Sequence, residues 1–149
     1  MAMGTVAATR SKRLSSGEFR RLLDQALTEV NSDERSGPLL RATGIRLRFE
    51  FPDLKLVLNV APGEDADAHL RWEFADDVDW EPRLRLTMDS EVANAYLQGK
   101  ESLAIAIARQ RVRCSGETRC ALVYVPAMRL LVEAYKRVIR DEHPDLAVA

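Results

Sequence analysis

Histidine and cysteine are scarce in this chain, with two of each in 149 residues. Cys114 and Cys120 form no Cys-x-x-Cys pair, and neither stands near a histidine at metal-ligand spacing, so both read as free thiols and no metal is expected. His69 falls on the polar side of an alternating segment and His143 precedes Pro144. Neither has a nucleophile to serve, and both are expected to be solvated. A charge excess of one sign is also missing. With 22 basic and 23 acidic residues the net charge is -1, which argues against nucleic acid, since phosphate binding draws on a clear surplus of Lys and Arg. Long apolar runs are absent too. Residues 1–16 hold Arg10, Lys12 and Arg13 but no stretch of signal-peptide type, and nothing approaches the ~20 apolar residues of a membrane span. Leu146 to Ala149 is not a peroxisomal address. A cytoplasmic location is the expectation.

Catalytic signatures are equally thin. No glycine-rich phosphate loop occurs, and Ser115-Gly116-Glu117 lacks the strand-to-helix elbow of a G-x-S-x-G nucleophile. Asp76, Asp77 and Asp79 resemble the start of a calcium loop but lack its central Gly and its bidentate Glu, so a hairpin turn is the reading preferred. No enzyme activity and no cofactor are expected.

What is present is a globular composition, 46% hydrophobic and 30% charged. A chain of this length folds as one domain and buries roughly two-thirds of its unfolded surface. Residues 1–16 read as a flexible arm, 17–143 as the domain and 144–149 as a tail. From residue 17 to 30, Phe19, Leu22, Leu23, Ala26, Leu27 and Val30 recur at helical spacing. A polar linker ending at Pro38 leads into a short turn through Leu39, Leu40 and Ala42.

After Gly44 the period changes from 3.6 to 2. Ile45, Leu47, Phe49 and Phe51 alternate with polar residues, and after a Pro52-Asp53 turn Leu54, Leu56, Leu58 and Val60 do the same. Leu70, Trp72 and Phe74 follow, then Leu84, Leu86 and Met88. Four consecutive strands predict an antiparallel meander with one apolar face. Asp89 or Ser90 then caps a helix carrying Val92, Ala93, Tyr96 and Leu97, which Gly99 stops. Residues 102–108 are apolar almost all round, which predicts a buried helix. Arg109, Arg111 and Arg113 alternate with Gln110, Val112 and Cys114 and predict a fifth strand with a basic face. That stripe reads either as protection of a sheet edge or as a contact for anionic lipid headgroups. Pro126 opens a last helix that buries Met128, Leu131, Val132, Tyr135, Val138 and Ile139 and ends before Pro144.

The order of elements from about Asp53 to Leu131 resembles the sterol carrier protein 2 family. The resemblance is carried by the strand Leu84-Arg85-Leu86-Thr87-Met88 entering Asp89-Ser90, by Leu97-Gln98-Gly99-Lys100, by the apolar stretch from Leu103 to Ala108, and by Arg111-Val112-Arg113-Cys114-Ser115-Gly116-Glu117. Where the family shows Gly-Lys-x-x-x-x-Gly-Asp, this chain has Gln110-Arg111 and Glu117 and keeps Gly116. The resemblance implies an α+β fold, a five-stranded mainly antiparallel sheet covered by helices, with a lipid cavity between the two layers. The partner it implies is a hydrophobic small molecule: a sterol, a fatty acid or an acyl-CoA. Candidate cavity-wall residues on inward faces are Tyr96, Leu97, Leu103, Ile107, Met128 and Leu131, with Tyr96 able to hydrogen-bond a polar head. Native cores seldom leave voids, so a filled interior in a structural or protein-interaction module is the alternative. Transient membrane-surface contact and a homodimer both stay open.

Overall fold

The computed structural model describes residues 14–65 and 68–148. Most of the expected N-terminal arm therefore lies outside the described residues, but its last residues belong to the fold. Leu14 is buried, and Ser15 caps helix α1, Ser16–Ser32. The Ser15 hydroxyl accepts from the Glu18 amide at 3.1 Å while the Glu18 carboxylate accepts from the Ser15 amide at 3.0 Å, a reciprocal box that satisfies two otherwise orphaned donors. The six apolar residues at helical spacing are the buried ones.

Helix α2, Ser36–Ala42, leads into strand β1, Leu47–Phe51. A 3-10 turn at Pro52–Leu54 and Lys55 in the left-handed region (φ 51°) reverse the chain into β2, Leu56–Pro62, and β3 follows at Leu70–Glu73. These three strands form the expected meander. The fourth does not extend it. Strand β4, Leu84–Met88, pairs in parallel with β1, and the sheet order is β3-β2-β1-β4-β5.

Alternation tells which face a side chain takes, not which strand lies beside it. Placing β4 against the open edge of β1 sets Leu84 and Leu86 beside Leu47 and Phe49 on the inner face. On the outer face it sets Arg85 and Thr87 beside Arg48 and Glu50. Residues 74–83 are therefore no hairpin turn, and they cross the outer face as a strap. Arg48 Nη1 donates to the Asp76 carbonyl at 2.6 Å and Asn59 Nδ2 to the Ala75 carbonyl at 2.8 Å. Trp80 is buried under the Arg71 guanidinium, 4.3 Å from the ring centroid. Asp76, Asp77 and Asp79 stay exposed along the strap.

Helix α3, Ser90–Leu97, is capped from a distance. Asp53 accepts from the Ser90 amide at 2.9 Å and from its hydroxyl at 2.6 Å, whereas the Asp89 side chain makes no capping bond. Gly99, at φ 77°, ends the turn after it as expected. Helix α4 spans Leu103–Ala108, and β5, Val112–Gly116, pairs antiparallel with β4. Gly116 sits at φ 95°, where a Cβ would stand 2.6 Å from the Arg83 carbonyl, so the close of this pair requires glycine. Helices α5, Ala121–Ala127, and α6, Arg129–Glu142, complete the chain. Pro126 lies in the last turn of α5 rather than opening the final helix.

Three further expectations change. Residues of α4 are not wholly buried. Leu103 and Ala106 are, while Ile105 is 49% exposed, because the helix lies beside the edge strand β5 and only one of its faces meets protein. The three-arginine stripe does not form either. Arg109 is the C-cap of α4, Gln110 takes φ 62°, and Arg111 is paired with Glu101, which leaves Arg113 as the one arginine of the three on the strand. His69 is half-buried rather than solvated, packed so closely on Gly37 that a Cβ there would fall 2.5 Å from its ring.

Candidate functional site

The inner face of the sheet and the helices α1, α3 and α6 enclose one apolar core. Phe19 of α1 meets Phe51 edge-on at 5.0 Å and Tyr135 of α6 at 6.5 Å. The buried side chains of Tyr135, Asn94 and Gln98 in this layer are matched by hydrogen bonds. Tyr135 donates to Asn94 Oδ1 at 2.6 Å, and Gln98 Nε2 reaches the same oxygen at 3.0 Å and the Leu146 carbonyl at 3.1 Å. Gln98 Oε1 accepts from the Val148 amide at 2.8 Å, so the segment expected as a tail is held on α3.

Among the described residues, two narrow apolar voids interrupt the packing. One, of about 10 Å³, lies among Leu23, Phe51, Met88, Ala93, Tyr96 and Leu97. The other, of about 20 Å³, lies among Leu27, Leu40, Ile45, Val60, Leu70 and Met128. Phe49 and Leu131 form walls of both. Each holds about one water-sized sphere, not a hydrocarbon tail.

Of the predicted wall residues, Tyr96, Leu97 and Leu131 line the first void, and Met128 and Leu131 the second. Leu103 and Ile107 line neither, since α4 sits at the sheet's edge against β5. Leu23, Leu27, Leu40, Phe49 and Phe51 were not singled out, although their place on the apolar stripe of α1 or on inward strand and helix positions marked them. Burial pushes the Tyr96 phenol up to about 12 and the Tyr135 phenol further in the same direction, so both stay neutral hydrogen-bonding groups. Burial also raises the Cys114 thiol. Cys114 and Cys120 are free thiols, and Cys120 Sγ donates to Glu117 Oε2 at 3.6 Å.

Larger spaces are open grooves on the outside. One of about 480 Å³ runs along Arg46, Glu81, Arg83 and Glu117, and one of about 390 Å³ along Thr87, Asp89, Gln110 and Arg113. Among the described residues, no cluster of His, Cys, Asp and Glu could hold a metal ion, and no helix is long and apolar enough to cross a membrane.

No protein-family model and no curated protein matches the sequence. Solved structures match the fold. A Thermus thermophilus protein described as a candidate sterol carrier protein superposes with a TM-score of 0.60 at 15% identity, over 87% of this chain and 94% of its own. A crystal structure of sterol carrier protein 2 superposes with a TM-score of 0.54 at 15% identity, over 78% of this chain and 94% of its own. The stereoselective inverting sec-alkylsulfatase of a Pseudomonas species matches over 64% of this chain with a TM-score of 0.50 at 14% identity. That match spans 14% of the sulfatase's length. The α+β fold, with its five-stranded, mainly antiparallel sheet under helices, is thus the sterol carrier protein 2 fold.

Proposed function

We propose that this is a non-catalytic domain that binds one hydrophobic small molecule, a sterol, a fatty acid or an acyl-CoA, between the inner sheet face and the helices. The observation that carries the reading is the shared wall: both voids border Phe49 and Leu131. A change in the Leu131 rotamer would join them into a slot running from Tyr96 to Leu40. A long-chain ligand covered over several hundred Å² gains several kcal/mol at about 25 cal/mol per Å², from which the work of parting the layers is subtracted. Neutral Tyr96 would meet a polar head at one end of the slot.

The small size of the voids favours a second reading, a protein-interaction module with a filled core of the same fold. Titration with a fluorescent acyl probe, together with native mass spectrometry of the freshly purified protein, separates the two. Carriage predicts saturable one-to-one binding that Leu131→Trp abolishes while circular dichroism shows a retained fold. Leu103→Trp, away from both voids, should leave uptake unchanged if it folds. Absence of saturable binding by the folded wild-type protein would remove carriage in favour of the module.

A further inference from the structure

Helix α5 buries one residue, Tyr124, whose hydroxyl donates to the Gly44 carbonyl at 3.2 Å. Val125 packs partly against the core, whereas Leu122 and Val123 face outward. Leu122 is 81% exposed and Val123 52%, and on the helix before the sheet Leu39 is 56% exposed. Leu40, next to Leu39, and Met128, one turn beyond Tyr124, both line the second void. Scattered single apolar residues on a surface need no explanation, but adjacent leucine and valine on one short helix face do.

Charge indicates what covers them. Residues 118–132 carry Arg119 and Arg129 and no acid, in a chain with 23 acidic residues, and both arginines are exposed. The acid just before this stretch, Glu117, is engaged by Arg83 at 3.3 Å. An apolar ridge between two arginines suits a surface that is oily within and anionic at its rim, as a bilayer containing acidic phospholipid is.

We infer that α5 is the face by which this domain docks on an anionic lipid surface, with Leu122 and Val123 entering the acyl boundary and Arg119 and Arg129 among the headgroups. This goes beyond the ligand-binding reading and rests on a different surface. The two connect in one way: Met128, which caps the C-terminal end of α5, also lines the second void.

Co-sedimentation of the full chain with vesicles of phosphatidylcholine and about one-third phosphatidylserine tests it. Wild-type protein should bind these vesicles at least about tenfold better than pure phosphatidylcholine, and added salt should weaken the binding. Leu122→Asp with Val123→Asp should abolish it, with circular dichroism and probe uptake unchanged. Arg119→Glu with Arg129→Glu should remove the preference for acidic lipid. The inference is overturned if wild-type protein ignores acidic vesicles, or if the folded aspartate variant still binds them. It is also overturned if that variant instead dissolves a homodimer seen by light scattering, which would make the ridge an interface between copies. Vesicle binding with no probe uptake would leave docking standing and remove the ligand-binding reading, so the two fail separately.

Discussion

The two faces of the sheet are covered by different materials. Leu47, Phe49, Phe51, Leu58, Leu84 and Leu86 look inward onto helices α1 and α6 and are almost wholly buried by apolar contact. Arg48, Glu50, Asn59, Thr87 and Arg71 look outward, and much of that face is closed by one irregular strap held through hydrogen bonds to backbone carbonyls. Apolar area is non-directional and tolerates local repacking. Buried hydrogen bonds hold only in one geometry, and each is costly to leave half made. The inner layer is therefore the side that can yield to a guest, and the outer layer holds the strand order in place.

Truncation on each side should expose this contrast. Phe19→Ala removes the ring that bridges Phe51 and Tyr135, and a loss of about 3–5 kcal/mol is expected from such a cavity, measured by denaturant unfolding. Asn59 is fully buried on the other side, and Asn59→Ala strands the Ala75 carbonyl. That change should cost about 1–3 kcal/mol and speed hydrogen exchange over residues 75–83 more than in β1. Uniform exchange across both segments would show that the strap is not what Asn59 holds.

How much of this was legible depended on whether a signal was local. The stripe of α6 named Leu131, Tyr135, Val138 and Ile139 but took in the half-buried Val132 and passed over the fully buried Ala134. That from Phe19 to Val30 named all six of its buried residues, because a helix with one apolar face has one way to bury it. Strand faces were readable for the same reason. The parallel neighbour of β1 was not, since no local pattern records which edge a later strand takes. Residues 102–108 misled through composition: an apolar helix with no polar face gives no direction, and tertiary placement beside the edge strand left Ile105 half exposed. The site followed suit. Tyr96, Leu97, Met128 and Leu131 came from helices with a clear inner face and reach the voids, whereas Leu103 and Ile107 came from the helix without one.

The smallest effect should separate the two faces by pH. Glu50 accepts from Arg48 Nε at 2.7 Å and from the Thr87 hydroxyl at 3.2 Å, and the Arg48 hydrogen bond, followed by that cation's charge, holds its carboxyl below the usual glutamate range despite partial burial. A depressed carboxyl contributes stability above its unfolded pKa, near 4.3, and loses that contribution as pH falls through its lower folded value. Glu50→Gln should therefore lower stability at neutral pH by no more than about 1 kcal/mol, and the gap to wild type should close progressively below about pH 4. Phe19→Ala carries no titrating group, so its deficit should stay nearly constant over the same range. A Glu50→Gln deficit that is equally flat with pH would mean that the outer face is held by the shape of the strap and not by the Arg48–Glu50 pair.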